Sequence, residues 1–198
     1  MRELLPFVIV GAPIFAVVAV VFMTLLGKLT EKIDQSWKGR IGPLILAAIV
    51  CGVVGIWFPG ALGLDVIPDL LHNNLTVTTI VILVITKLPL TVTCIGCGMH
   101  GGVYLPSLFI GAGVGCLFGK MVAALGISGG ESLGIAGMAA VAAAVFGAPI
   151  STVLIVLEFT LSYEAAIFSI IAVTICTLIT NELYGPSLFD RQISTKVD

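Results

Sequence analysis

Residues 101–106, GGVYLP, are the stretch whose residue types and spacing best suit a chemical task. Pro106 suits the first turn of a helix that would run on through SLFIGAGVGCLFGKMVAAL. Amides at a helix N-terminus lack carbonyl partners and carry the positive end of the helix dipole. Set inside a membrane and facing a cavity, such an end binds a desolvated anion. The amides of Val103 and Tyr104 would be the donors, and Gly101 and Gly102 would let the backbone approach closely. A site without formal positive charge holds an anion without trapping it, as conduction requires. The same residues also suit an ordinary Gly–Pro turn between two spans, and the local pattern leaves both open.

Other chemistry-bearing residues are sparser. Cys94, Cys97 and His100 have the C-x2-C-x2-H spacing of a metal motif, but no second Cys/His pair follows to complete four ligands. The five cysteines (51, 94, 97, 116, 176) lie in or beside apolar runs and read as small buried hydrophobes, with no metal expected. Lys87 and Glu158 are ionisable residues inside or at the edge of apolar segments. Such residues are costly in a membrane and mark function, or else pair locally and fix helix packing. Phe189 follows a Gly185–Pro186 break and suits either a pore-closing aromatic or an interfacial anchor. Asp65, Asp69 and His72 read as solvated loop residues.

The elements that must position these residues are set by composition. Of 198 residues, 59% are hydrophobic and only 10% charged, against about 25% charged in an average soluble domain. Mean hydropathy is +1.20. No Asp, Glu, Lys or Arg occurs in 4–27, 41–64, 70–86, 88–119, 132–157 or 165–181. Roughly 20 apolar residues span a bilayer core as a helix, so this is a polytopic, all-α integral membrane protein. A soluble enzyme, a nucleic-acid binder and a disordered linker are excluded, and the net charge of −2 points to no polyanionic partner. Met1–Arg2–Glu3 opens onto an apolar run too long for a cleavable leader.

Span candidates are 4–30 with Pro13 inside it, 41–58, 75–95 with Lys87 and Pro89 inside it, the run after Pro106, and 164–181. A polar link is expected at 31–40, and 60–75 is too short and polar to cross. Residues 132–146 and 149–160 are short apolar segments split by Gly147–Ala148–Pro149. Gly111, Gly115 and Gly119 repeat every fourth residue, and MAAVAAAVF is alanine-rich; both are faces for close helix packing. GCGMHGGVYLP places four glycines and a proline in eleven residues inside a charge-free stretch. Irregular backbone at membrane depth is tolerated only where protein or a watery cavity satisfies it. Short, interrupted apolar segments are the pointer to a transport site near the bilayer midplane.

These residues resemble the C-terminal half of the CLC chloride channels and chloride/proton antiporters. Gly102–Val103–Tyr104–Leu105–Pro106 looks like the family's G-x-F-x-P anion motif, with Tyr in place of Phe. Ala142–Thr160, AAAVFGAPISTVLIVLEFT, is similar to the family stretch with an Ala–Pro break and a Glu near its end. Tyr184–Asp190, YGPSLFD, resembles the segment that carries the pore tyrosine, with Phe189 at that tyrosine's place. The resemblance, with the run from Pro43 through Pro68, covers nearly the whole chain.

The resemblance implies an inverted-repeat fold with short, broken, tilted helices, an anion pathway in each subunit and a homodimer in the lipid bilayer. It implies that the amides of Val103 and Tyr104 serve a central chloride, with Gly102 and Pro106 shaping the turn, and that Phe189 lines the pore without the usual hydroxyl. It assigns 1–30 to the last helix of the N-terminal half and 38–198 to the C-terminal repeat, one transmembrane region with no cytosolic regulatory domain. The N-terminal half, with its serine and its gating and proton glutamates, is expected on a separate or fused segment, and Glu158 matches neither glutamate. The resemblance places the 28–40 link outside and the C-terminal tail inside, although four Lys/Arg in that link (28, 32, 38, 40) favour the opposite. Chloride is then the transported ligand, with no cofactor and no enzymatic step. The competing expectations are another broken-helix anion transporter and a non-transporting membrane scaffold or half-subunit.

Overall fold

The computed structural model describes residues 3–36, 41–57, 66–72, 74–97, 99, 102–127, 129–185 and 187. Among them the chain is all helical: α1 Leu5–Ser36, α2 Ile41–Trp57, α3 Val66–Leu71, α4 Val77–Gly96, α5 Tyr104–Ala124, α6 Gly130–Phe146, α7 Pro149–Thr160 and α8 Tyr163–Leu183. Four are long and apolar enough to cross a membrane: α1 over Leu5–Glu31, α4, α5 and α8.

α1 shows why these sequences form membrane helices. Val8, Ala12, Phe15, Ala16, Ala19, Phe22, Met23 and Leu26 recur at helical spacing and are buried against the other helices. The opposite face, Ile9, Val10, Ile14, Val17, Val21 and Leu25, is just as apolar and fully outward, a face for lipid. Pro13 lies within the helix without ending it; neighbouring structure re-satisfies such breaks in membranes. The expected polar link at 31–40 is corrected in its first part, since α1 continues to Ser36. Thirty-two residues rise about 48 Å, more than the roughly 30 Å of hydrocarbon, so the charged final turns run on past the apolar layer. Lys28 and Glu31 stand three apart there, a spacing at which opposite charges support a helix in water.

α6 is the axis of the fold, packed by α5, α8, α1 and α7. All of Leu133–Val145 is buried. Its 17 residues rise only about 26 Å, and small residues let four neighbours close around it. Gly111, Gly115 and Gly119 of α5 meet the backbone of α6 at Gly137, Leu133–Gly134 and Gly130. α6 ends at Gly147, which takes the left-handed cap at φ 76° and returns its N–H to the Ala143 carbonyl. Pro149 then opens α7 at its first turn.

α4 and α5 form an antiparallel pair in which Val84 fills the space beside Gly113. α2 packs on α4. α3 is a short helix on α5 and α6, where Leu70 is buried and its carbonyl accepts from Cys116 Sγ at 3.3 Å. Asp69 therefore sits in a helical turn rather than a loop, exposed like His72, with Asn74 Nδ2 donating to Asp69 Oδ1 at 3.4 Å. Asp65 lies outside the described residues.

Candidate anion site

The first turn of α5 builds the site. Val103 caps it at φ −73°, ψ −25°, and the first in-register bond runs from the Ser107 amide to the Val103 carbonyl at 3.1 Å. The amides of Val103, Tyr104 and Leu105 therefore have no carbonyl inside the helix, and Pro106 has no amide to offer. Three donors thus point out along the helix axis, at the end where the macrodipole is positive. No acidic side chain stands in this turn to cancel it. Leu105 joins Val103 and Tyr104 in this turn because the helix starts at Tyr104 and places Pro106 at its third position.

The turn is anchored from behind and open in front. Ser107, fully buried, donates its hydroxyl to the Tyr104 carbonyl at 2.6 Å. The Tyr104 ring meets Phe146, the last residue of α6, edge to face at 5.3 Å and 76°. Gly102 is exposed, and a Cβ there would meet no described residue within 4 Å. Gly98, His100 and Gly101 lie outside the described residues. Cys97 and Met99 lead in from α4, their amides donating to Thr93 and Cys94 carbonyls, each at 3.0 Å.

A second helix start stands close by. α7 begins at Ala148–Pro149 with no side-chain cap. Thr152, 1% exposed, donates its hydroxyl to the Ala148 carbonyl at 2.9 Å.

Lys87 of α4 is 6% exposed, with Nζ 4.9 Å from the ring centroid of the fully buried Phe109, one turn into α5. This cation faces an aromatic ring on the helix that carries the site. Glu158 lies elsewhere, exposed near the end of α7. α8 ends at Tyr184, whose hydroxyl donates to the Met23 carbonyl at 3.3 Å, and Gly185 turns the chain at φ 89°. Phe189 lies outside the described residues. Cys97, Cys116 and Cys176 are buried and Cys51 and Cys94 half-buried; Cys176 Sγ donates to the Ala140 carbonyl at 3.5 Å.

Comparison with known proteins bears on this arrangement. The family model described as "Voltage gated chloride channel" matches residues 1–181. The chain belongs to the voltage-gated chloride channel family. It is 32% identical over 186 residues to the H(+)/Cl(-) exchange transporter ClcA of Salmonella arizonae, covering 89% of this chain and 39% of that protein. It is 29% identical over 171 residues to the putative chloride channel protein ClcB-like of Ralstonia nicotianae, covering 84% of this chain and 39% of that one. The fold matches the crystal structure of a slow cyanobacterial Cl−/H+ antiporter with a TM-score of 0.86 at 20% identity, over 99% of this chain and 48% of the other. A eukaryotic CLC transporter matches with a TM-score of 0.82 at 24% identity, over 99% and 36%. The chain thus spans about two fifths of the length of the curated relatives it matches. Family membership and the four span-length helices make it a multi-pass integral membrane protein.

Proposed function

We propose that this chain supplies the amide half of a chloride pathway, in a protein that conducts chloride or exchanges it for protons. The observation that carries the reading is the first turn of α5, with three amides that no carbonyl of the helix takes, no acidic residue, and no described residue in front of Gly102. An anion entering there exchanges hydration water for Val103, Tyr104 and Leu105 N–H groups. It meets a positive helix end instead of a full charge, so binding is strong enough to admit it and weak enough to release it. Gly102 and Pro106 shape the turn, and Phe189 completes the pathway as a pore aromatic. Lys87 adds a positive potential along α5, while Glu158 stands apart from the ion. No bond is made or broken and no cofactor takes part. Two copies pair in the bilayer, each with its own pathway.

The test is flux. Native protein purified from its source membrane and reconstituted into chloride-loaded liposomes should release chloride to an ion-selective electrode. Chloride, bromide and nitrate should pass and acetate should not. Silent liposomes, with protein inserted and monodisperse, would sink the proposal.

A further inference from the structure

We propose that Leu29 of α1 is a positioning residue for the anion site, acting through Gly96 at the end of α4. The inference deepens the reading of the α5 start as an anion site and rests on it.

Four of the seven residues from 96 to 102 are glycine: Gly96, Gly98, Gly101 and Gly102. Glycine brings no side chain to pack and the widest choice of backbone angles. A segment of this composition takes its course from what fixes its two ends. The far end is fixed at Tyr104, by Ser107 on its carbonyl at 2.6 Å and by the Phe146 ring at 5.3 Å. The near end is Gly96, buried, the last residue of α4.

Leu29 lies directly on that residue. A Cβ on Gly96 would stand 2.9 Å from Leu29 Cδ2, 3.0 Å from Cγ and 3.3 Å from Cβ. Three consecutive side-chain atoms thus rest on the Gly96 backbone, and turning one methyl aside would not clear the space. The cap that follows inherits this position, with Cys97 donating its amide to the Thr93 carbonyl and Met99 to the Cys94 carbonyl, each at 3.0 Å. Three residues after Met99 comes Gly102, and with it the donor amides of Val103, Tyr104 and Leu105.

α1 is itself held at this level by α8. The Tyr184 hydroxyl donates to the Met23 carbonyl at 3.3 Å, and a Cβ on Gly27 would stand 3.4 Å from the same oxygen. Met23 and Leu29 are about 9 Å apart along α1. A carbonyl has two lone pairs, so this bond leaves α1 continuous. The contacts therefore run from α8 through α1 to the end of α4, and from there along the glycine-rich segment to the amides.

The experiment compares native protein with Gly96→Ala, Leu29→Ala, the Gly96→Ala/Leu29→Ala double variant and Leu29→Met, each in the full protein. Chloride affinity is read by calorimetry, chloride-to-nitrate selectivity by flux from liposomes, and Tm in parallel. Gly96→Ala drives a methyl into Leu29, and Leu29→Ala leaves Gly96 unsupported. Each should weaken chloride binding about threefold to tenfold and shift selectivity. The double variant puts the new methyl into the space that the shortened side chain vacates, so it should bind chloride within about twofold of native. Leu29→Met, which keeps the volume, should behave as native. Native affinity and selectivity in Leu29→Ala would overturn the proposal. So would a double variant that binds more weakly than both single ones, or a lowered Tm with affinity and selectivity unmoved. If Gly96→Ala does not fold, Leu29→Ala against Leu29→Met still decides the matter. Native protein that binds no chloride at all would instead bring down the anion-site reading, and this proposal with it.

Discussion

The backbones of Gly111 on α5 and Gly137 on α6 are in direct contact: a Cβ on Gly137 would stand 2.6 Å from the Gly111 carbonyl oxygen, and one on Gly111 would strike the Gly137 carbonyl. Two helices this close need hydrogen at both positions. The same contact recurs at Gly119, where a Cβ would lie 2.7 Å from Gly130 Cα. The α5 start is thus carried by a helix whose axis is fixed on the most buried element of the fold.

Gly111→Ala should therefore force α5 off α6 and cost about 1–3 kcal/mol, seen as a lower Tm in detergent by tryptophan fluorescence. Gly52→Ala is the control, because a Cβ there meets nothing within 4 Å. That variant should hold or raise Tm, helix propensity favouring Ala by up to about 1 kcal/mol. Equal losses at the two sites would mean that the α5–α6 contact is not what limits stability.

Val103→Pro should remove one amide from the α5 start while keeping its fold, since φ −73° at Val103 suits proline. A hydrogen bond to a charged ligand contributes about 1.5–3 kcal/mol. Chloride affinity should fall roughly tenfold to a hundredfold with Tm nearly unchanged. Calorimetry on the reconstituted variant decides it, and unchanged affinity would take Val103 out of the site.

Gly102→Val should fold normally, because no described residue would stand within 4 Å of a Cβ there. The added side chain would occupy the approach to the amides. Chloride flux should drop at least about fivefold with native Tm, the loss being one of access rather than of the roughly 1 kcal/mol that strained packing costs. Native flux would place the ion's path on another side of the turn.

Lys87 and Phe109 should be energetically coupled. A double-mutant cycle with Lys87→Met and Phe109→Leu removes the cation and the ring separately and together. The coupling in unfolding free energy should be about 0.5–2 kcal/mol, favouring the native pair. Additive losses would show that the 4.9 Å approach of Nζ to the ring carries no stability.

Much of this fold was legible because membrane helices announce themselves by length and composition alone. The charge-free runs located α1, α2, α4, α5 and α8, and Gly147–Ala148–Pro149 located the break between α6 and α7. Glycines at 111, 115 and 119 announced a packing face, because a stripe of missing side chains lies on one side of any helix. The motif around Pro106 announced a helix start with free amides. By itself the sequence decided that there are spanning helices, that some are short, and where one of them exposes its positive end.

Tertiary structure decided which elements meet. That the glycine stripe of α5 seats on α6, that α6 is buried on every side, and that Tyr104 touches Phe146 are facts about residues roughly 10 to 40 positions apart. Periodicity reports a helix's faces but not the partner opposite each one. In an apolar chain this is most acute, because the lipid-facing and protein-facing sides of a helix such as α1 are equally hydrophobic. Only close packing, through shape and a few buried hydroxyls, tells the two sides apart.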